Sequence, residues 1–382
     1  MKIAFFTDTF LPQINGVTKT LARLIKYLDK KGIEHLVFAP DHHEEDFFTY
    51  NVERFLSFKF FLYPECRLSI PNFFRIHKKL NAFRPELIHI ATEFNMGLAG
   101  LQYGKTKEVP IVSSYHTNFS KYLQYYGLEF LENALWNYMQ WFHNQCSINL
   151  CPSHETKKML ENKGVNHLGI WTRGIDCEEF KPEFRSQALR ESLGAADKIV
   201  LLYVGRISIE KDLDILFDSF KNINQKYYDK VSLVITGDGP MLSKFKTEAP
   251  DNVIFTGYKQ GRELAEIYAS ADIFMFPSTT ETFGNVVMES MASGVPVVSV
   301  AVGGIKDNLL DGHNGLICKP RNVQDFTQAA MRLIEDRVLR VELGYQARQY
   351  ALMRSWKNVF DKLISDYERT LAYHNKKYNI SA

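Results

Sequence analysis

Short apolar runs alternate with amphipathic stretches along both halves of the chain. In the first half, continuous apolar runs predict buried strands at 2–6, 36–39, 87–91 and 111–114. The second half repeats the pattern, with predicted strands at 199–204, 231–236, 253–256, 273–276 and 295–300. Apolar residues at helical spacing lie between the strands, in 17–31, 212–226, 240–247, 262–270 and 285–293. This alternation predicts an α/β fold of two doubly wound domains, each with a parallel sheet covered by helices on both faces.

The length of 382 residues agrees with two or three domains. The two strand–helix series meet near 174–182, and a long amphipathic helix is predicted over 356–373. In doubly wound sheets, ligands bind beyond the carboxyl ends of the strands. The loops that directly follow strands are therefore where functional side chains are expected.

Composition narrows the classes of function. Apolar residues make up 45% and charged residues 24%, an ordinary globular balance, and a net charge of +2 gives no sign of a nucleic-acid partner. Five dispersed cysteines without metal-type spacing favour reduced thiols in a cytoplasmic protein. The opening run of four apolar residues is too short for a signal peptide, and no run approaches the roughly 18 residues of a membrane span. Any membrane role is therefore expected to be peripheral.

Two strand-end loops of the second half contain glycines. After 199–204 comes GRISIEK, in which Gly205 allows close backbone approach while Arg206 and Lys211 suit phosphate oxygens. Ordinary surface charge is the alternative reading of the two cations. After 231–236 comes GDGP, but Leu242 stands where a dinucleotide fingerprint needs its third glycine, so a tight turn is favoured there.

Two strand-end loops of the first half each offer one residue. Gly16 lies just before a predicted helix, where free backbone amides meet an anion well, although an ordinary glycine turn would look the same. His116 follows the strand at 111–114 in SYHTNF. A lone histidine is more often structural, and its place at a strand end is what makes it a candidate.

Two glutamates flank a predicted helix start in the segment STTETFGNVVMES. Thr282 is the predicted cap of a helix beginning near Phe283 and Gly284, with Glu281 just outside and Glu289 inside it. The helix N-terminus suits a diphosphate, while the carboxylates suit the hydroxyls of a hexose and a ribose. The alternative is that both glutamates are ordinary solvated acids.

Taken in order, these segments resemble the retaining, nucleotide-sugar-dependent glycosyltransferases of family four. ETFGNVVMESMASGVPVV resembles the E-x7-E signature, and GRISIEK resembles the family's G-R-x4-K phosphate segment. PQINGV, SYHTNF, RGIDCEEFKP and GGIKDNLLDGHNGLI also match, so the resemblance covers essentially the whole chain.

The resemblance implies a GT-B fold, with two Rossmann-like domains facing a cleft and a C-terminal helix that crosses back to the first domain. The implied domains are 1–175 with 357–382, which binds the acceptor, and 176–356, which binds the nucleotide sugar. The resemblance implies that Arg206 and Lys211 hold the diphosphate, that Glu281 contacts the donor hexose and that Glu289 contacts the ribose. Main-chain amides are implied at Phe283, Gly284 and Asn285, and Thr282 is a further donor-site residue. Gly205 accompanies these donor-site residues, Gly16 approaches the diphosphate from the first domain, and His116 lies near the anomeric carbon.

The implied chemistry needs no cofactor and no metal ion. The leaving nucleoside diphosphate gains charge, which two cations and a helix N-terminus can stabilise. We expect retention through a front-face, oxocarbenium-like state. Two departures from the family pattern are Asn15–Gly16 where paired glycines are common, and Asp212 where glycine is frequent. The second leaves the geometry of its loop open.

The acceptor is predicted from residues 54–84, which contain seven Lys or Arg, one acid and eight Phe or Tyr. Basic residues mixed with aromatics suit an anionic membrane interface, and the predicted contacts are Arg67, Arg75, Lys78 and Lys79. The alternative is a domain core with a basic face. YPECRLSIP and TETFGN resemble members that glycosylate diacylglycerol-type lipids. A lipid acceptor at the cytoplasmic membrane face is therefore expected, with UDP-glucose as first donor and GDP-mannose as second.

Other functions remain open from the residues alone. A soluble glycan or a small molecule could replace the lipid acceptor. The competing classes are a nucleotide-sugar epimerase, a dinucleotide oxidoreductase and a non-catalytic sugar- or membrane-binding protein. Turnover of a donor would distinguish a transferase from the non-catalytic protein.

Overall fold

A computed structural model describes residues 1–13, 15–41, 51–59, 67–116, 129–281 and 283–379. The chain divides into two compact units. Unit 1 comprises residues 1–173 and 357–382, and unit 2 comprises 174–356.

Unit 1 is built on a parallel sheet in the strand order β3-β2-β1-β6-β7-β8-β9. Its strands are β1 (Lys2–Phe6), β2 (Glu34–Pro40), β3 (Val52–Phe55), β6 (Leu87–Ile90), β7 (Ile111–Ser114), β8 (Ile148–Cys151) and β9 (Leu168–Ile170). A separate antiparallel hairpin is formed by β4 (Ser57–Lys59) and β5 (Arg67–Ser69). Its helices are α1 (Gly16–Lys30), α2 (Phe73–Phe83), α3 (Asn95–Lys107), α4 (Glu132–His143) and α5 (His154–Asn162).

Unit 2 has a second parallel sheet, in the order β12-β11-β10-β13-β14-β15. Its strands are β10 (Ile199–Val204), β11 (Val231–Thr236), β12 (Val253–Gly257), β13 (Ile273–Phe276), β14 (Val297–Val300) and β15 (Gly315–Cys318). Its helices are α6 (Gln187–Ser192), α7 (Leu213–Tyr227), α8 (Leu242–Glu248), α9 (Gly261–Ser270), α10 (Asn285–Ala292), α11 (Val323–Glu335) and α12 (Arg337–Met353). Helices alternate with strands in both units, so the predicted pair of Rossmann-like domains is confirmed.

The final helix, α13 (Trp356–Asn379), begins with the last residue of unit 2 and belongs to unit 1 from Lys357 onward. Within unit 1, Asp361 accepts a hydrogen bond from Tyr27 of α1 at 2.7 Å and pairs with Lys31 at 2.9 Å. The fully buried Tyr367 bonds through its hydroxyl to His89 of β6. The predicted return of the last helix to the first domain is therefore confirmed.

Local chemistry sets where several elements begin. Asn15 caps α1, because its Oδ1 accepts from the amide of Thr18 at 2.9 Å. Strand β14 starts two residues later than the apolar run predicts. The amide of Val295 is bonded to the carbonyl of Ser290 at 3.1 Å, closing α10, and Pro296 has no amide to offer a ladder.

The apolar positions of both sheets are enclosed. All four residues of β6, β7, β13 and β14 are buried. This is expected of parallel strands covered on both faces. The carboxyl ends of these strands then carry the polar residues considered next.

Candidate functional site

The loop after β10 presents the two predicted cations of unit 2. Gly205 has φ 156°, and its amide is bonded to the carbonyl of Thr236 at 3.0 Å. The side chain of Arg206 is exposed, while its carbonyl accepts a hydrogen bond from the hydroxyl of Tyr203 at 2.9 Å. A short 3-10 turn, Ile209–Lys211, follows and ends at the second cation. The loop is thus fixed by its backbone, with one guanidinium facing solvent.

Lys211 and Glu281 form a close ion pair. Lys211 Nζ lies 2.5 Å from Glu281 Oε1, and the two side chains keep only 19% and 17% of their exposure. The predicted diphosphate cation and the predicted hexose carboxylate are therefore brought together by the loops after β10 and β13. Each charge is neutralised by the other.

Helix α10 begins at Asn285, and Gly284 is the residue at its N-cap. The prediction of a Thr282 cap is wrong, and Thr282 itself lies outside the described residues. Gly284 has φ 77°, and a Cβ there would lie 2.8 Å from Ile305 Cγ1, so both backbone and space require glycine. Amides in the first turn of a helix lack partners further back along it. The N-terminus of α10, preceded by the half-buried Phe283, can therefore meet an acceptor oxygen.

Glu289 lies in the second turn of α10 and is partly buried. Its Oε2 accepts a hydrogen bond from the hydroxyl of Tyr268, a fully buried residue of α9, at 2.9 Å. Burial raises the pKa of Glu289 to about 7, although the bond from Tyr268 opposes the shift. This carboxyl group therefore changes protonation near neutral pH. A carboxylate can accept further hydrogen bonds at its second oxygen, as ribose binding would require.

The turn before α1 in unit 1 is filled by an arginine that the sequence interpretation missed. A Cβ added to Gly16 would lie 2.8 Å from a terminal nitrogen of Arg173, so the guanidinium packs over the glycine. A larger residue at position 16 would displace the Arg173 guanidinium from its place over the turn. The signal was present in the sequence, because Arg173 follows strand β9 in RGID, but that motif was matched without a role for its arginine.

His116 follows β7 and packs edge-on against Trp171, with the ring centroids 5.3 Å apart. Burial lowers the pKa of His116 to about 3, and the nearby charge of Arg173 adds to this effect. The imidazole is therefore neutral at pH 7. Its Nε2 atom is buried and has no hydrogen-bond partner among the residues described. The rest of the SYHTNF motif, from residue 117, lies outside that part of the chain.

The predicted membrane contacts mostly form hydrogen bonds or ion pairs within unit 1. Arg67 donates to the side chain and the carbonyl of Ser57, at 2.7 and 2.9 Å. Arg75 and Lys79 both pair with Glu53, at 2.7 and 2.5 Å. Lys78 is exposed. Three of the four cations therefore hold the β3–α2 region together, whatever else they contact.

Two features of the described residues concern the predictions of a metal-free and peripheral protein. Within that part of the chain, no group of three or more His, Cys, Asp or Glu is arranged to hold a metal ion. None of the helices found there combines the length and the apolar character that crossing a bilayer requires. Metal independence and membrane contact stay predictions.

Comparison with known families gives one match in each unit. Residues 14–179 match Glycosyltransferase Family 4. Residues 185–350 match Glycosyl transferases group 1. The two matches together span most of both sheets.

Three curated relatives are similar over most of their length. The sulfoquinovosyl transferase SQD2 of Arabidopsis thaliana is 33% identical over 98% of this chain and 75% of its own. A GDP-mannose-dependent alpha-mannosyltransferase of Mycobacterium tuberculosis is 31% identical over 96% of each chain. The alpha-monoglucosyldiacylglycerol synthase of Streptococcus pneumoniae is 32% identical over 78% of this chain and 71% of its own.

A solved structure supports the same architecture. HepE of Anabaena, in complex with UDP, superposes with a TM-score of 0.72 at 19% identity, over 97% of this chain and all of its own. At that identity the likeness concerns the fold, which is the GT-B arrangement of two Rossmann-like domains.

Proposed function

The chain belongs to the family 4 glycosyltransferases, which transfer a sugar from a nucleotide sugar, and from that premise we propose that it moves glucose from UDP-glucose, with retention, to the hydroxyl of a diacylglycerol-type lipid. The observation that carries the donor half of this proposal is the Lys211–Glu281 pair beside the N-terminus of α10. The acceptor half rests on an exposed apolar surface of unit 1 and on one relative.

The leaving diphosphate is proposed to bind Arg206, Lys211 and the first amides of α10. Breaking the glycosidic bond adds negative charge to the β-phosphate, and preorganised cations and helix amides stabilise such charge. When the diphosphate arrives, Lys211 exchanges part of its pairing with Glu281 for the phosphate oxygens. These groups provide the stabilisation in the proposed mechanism without a metal ion.

The sugars of the donor are proposed to bind the two carboxylates. Glu281 would accept hydrogen bonds from hexose hydroxyls and favour the positive charge that develops at the anomeric carbon. Glu289 would accept hydrogen bonds from the ribose hydroxyls, with Tyr268 holding its orientation. His116 stays a prediction by resemblance, and its neutral imidazole can both donate and accept a hydrogen bond.

Retention is proposed from the product names of two relatives. The mannosyltransferase and the diacylglycerol synthase are both named for alpha products. Sugars such as glucose and mannose are carried on their nucleotides in the alpha configuration, so an alpha product keeps the configuration of the donor. A front-face reaction through an oxocarbenium-like state fits this outcome. Trapping of a glycosyl-enzyme adduct would contradict it.

The acceptor surface is proposed to be an apolar patch formed by Leu56, Phe58, Ile70, Phe73 and Phe74. Side chains alternate across a strand and cross-strand partners share a face. Phe58 pairs with Leu68, and the Ile70 amide donates to the Leu56 carbonyl at 2.7 Å, so Leu56, Phe58 and Ile70 share one face of the hairpin.

The patch is exposed, and its two remaining aromatic residues stand at the start of the next helix. Leu56, Phe58 and Ile70 are each more than half exposed, and Phe74, in the first turn of α2, is 82% exposed. An exposed cluster of this kind is typical of an interaction surface, and the aromatic rings and the nearby Lys78 suit a bilayer interface. We therefore place the protein in the cytoplasm, peripheral to the inner face of the membrane.

A donor panel tests this function. Release of nucleoside diphosphate would be measured from UDP-, GDP- and ADP-sugars, with and without liposomes that contain diacylglycerol. Turnover of UDP-glucose that the lipid stimulates supports the proposal as stated. Turnover of GDP-mannose instead would favour the second donor, to which the mannosyltransferase relative points. Turnover without lipid stimulation would redirect the acceptor to a soluble glycan or a small molecule.

A further inference from the structure

The residue after Lys211 has an unusual backbone conformation. Asp212 has φ 50° and ψ 37°, in the left-handed region that glycine adopts readily and that aspartate tolerates. Asp212 therefore takes the backbone that a glycine would supply at this position, and it adds a carboxylate.

That carboxylate does not cap its own helix. Asp212 occupies the N-cap position of α7, yet its side chain makes no capping hydrogen bond there. Aspartate at an N-cap ordinarily accepts from amides of the first turn. The usual structural explanation for aspartate at this position therefore does not apply.

The side chain instead joins the loop after β10 to the loop after β13. Asp212 Oδ2 accepts from both the amide and the hydroxyl of Thr279, at 3.0 and 2.6 Å. A second link runs beside it, because the hydroxyl of Thr280 donates to the carbonyl of Glu210 at 3.0 Å. Lys211 lies between the two linked residues of its loop, and Glu281 directly follows Thr280.

We propose that Asp212 is a positioning residue that holds Lys211 at its place against Glu281. It would thereby fix the spacing between the cation for the diphosphate and the carboxylate for the hexose. This inference rests on the proposed function of those two residues. Asp212 itself is only 10% exposed, with Arg321 on its other oxygen at 3.2 Å, so its action on the reaction passes through Lys211.

Asp212→Gly tests the role of the carboxylate apart from that of the backbone conformation. Glycine adopts the same left-handed conformation but lacks every side-chain hydrogen bond. A misplacement of about 1 Å can lower a rate by roughly 100-fold, so we expect kcat to fall about 10- to 100-fold. Asp212→Asn keeps an oxygen for Thr279 and is expected to lose less than about threefold. Arg321→Gln removes the outer contact alone and is expected to leave kcat within about twofold, as the matched control.

The deciding measurement is a double-mutant cycle with Lys211→Ala, read as kcat with the selected donor. If Asp212 acts through Lys211, Asp212→Gly costs little further in the Lys211→Ala background. An equal loss in both backgrounds, or an unchanged kcat in Asp212→Gly alone, overturns the inference. Thr279→Val removes the hydroxyl that donates to Asp212 and is expected to show the same dependence on Lys211. This variant tests the inference even if Asp212→Gly folds poorly.

Failure of the proposed function gives a different result. If Lys211→Ala leaves both kcat and the affinity for nucleoside diphosphate unchanged, Lys211 has no role in the reaction and the inference falls with it. If Lys211→Ala is damaging while Asp212→Gly is not, the proposed function stands and the positioning role alone is wrong.

Discussion

Replacing Glu281 with glutamine removes the charge that faces Lys211 and keeps the shape of the side chain. Because the two atoms lie 2.5 Å apart and both side chains are more than four-fifths covered, the charge of Glu281 holds the ammonium strongly. A bound diphosphate must compete with it. We therefore expect Glu281→Gln to bind the product nucleoside diphosphate more tightly than the unaltered protein does, while turning over more slowly.

The size of the gain follows from the geometry. Two unit charges about 4 Å apart attract by about 4 kcal/mol at an effective dielectric constant near 20. Solvent that reaches both side chains screens part of this, and about 1.4 kcal/mol of released attraction corresponds to about a tenfold lower Kd. The rate should move the other way. Loss of one charge that stabilises the transition state typically lowers kcat about 100- to 1,000-fold.

Calorimetric titration of the nucleoside diphosphate and steady-state release of the same product measure the two effects separately. Glu263→Gln is the matched control, because it removes the same charge from an exposed i,i+4 pair with Lys259 in unit 2. Its Kd and kcat should stay within about twofold. Weaker or unchanged binding by Glu281→Gln would refute the idea that the ion pair restrains Lys211.

Three further predictions concern other parts of the chain. Since burial raises the pKa of Glu289 to about 7, affinity for the nucleoside diphosphate should fall as the pH drops through about 7, because the protonated carboxyl group accepts hydrogen bonds from ribose less well. Glu289→Gln should flatten this titration. The same replacement should also stabilise the fold above pH 7, where the charged carboxylate destabilises the unaltered protein. Gly16→Ala should push the Arg173 guanidinium aside, shift the Tm by only a few degrees and lower kcat about tenfold. In an Arg173→Ala background, Gly16→Ala should lower kcat no further, and an equal loss of kcat in both backgrounds would contradict the reasoning. Phe74→Asp should weaken flotation with diacylglycerol-containing anionic liposomes about tenfold at an unchanged Tm. The control Val338→Asp, at a 77% exposed position of unit 2, should leave flotation unchanged. Equal effects of the two replacements would contradict a membrane role for the apolar patch.

The sequence was sufficient for most strands of the two parallel sheets. Strands β1, β7, β10, β11 and β13 coincide with the runs predicted for them, because burial on both faces leaves few polar interruptions. Among the described residues, the strands that were missed are β3, β4, β5, β8, β9 and β15. They are short, and polar residues or glycine interrupt or flank their apolar run, as in VERF, INLC, LGI and GLIC. Edge strands such as β9 also need fewer apolar residues, since less of their surface is covered.

Some residues of the candidate site could be predicted from the sequence, whereas the contacts between them could not. Arg206, Lys211, Glu281 and Glu289 could be proposed because each follows a strand or begins a helix, which a local pattern records. The contact of Asp212 with Thr279 joins positions 67 residues apart, and that of Tyr268 with Glu289 joins positions 21 apart. Such contacts depend on how the loops meet in space, which no local pattern records.

The return of α13 to unit 1 has a consequence for biosynthesis. Tyr367, which bonds to His89 inside the first sheet, is translated only after the whole of unit 2. At about 5–20 residues per second, the roughly 180 residues of unit 2 take about 10–40 seconds to emerge from the ribosome. Unit 2 is contiguous and can complete its core as it emerges. During that interval the side chains of unit 1 that later contact α13, among them Tyr27 and His89, remain uncovered. We therefore expect the nascent chain to bind the chaperones that shield newly made proteins.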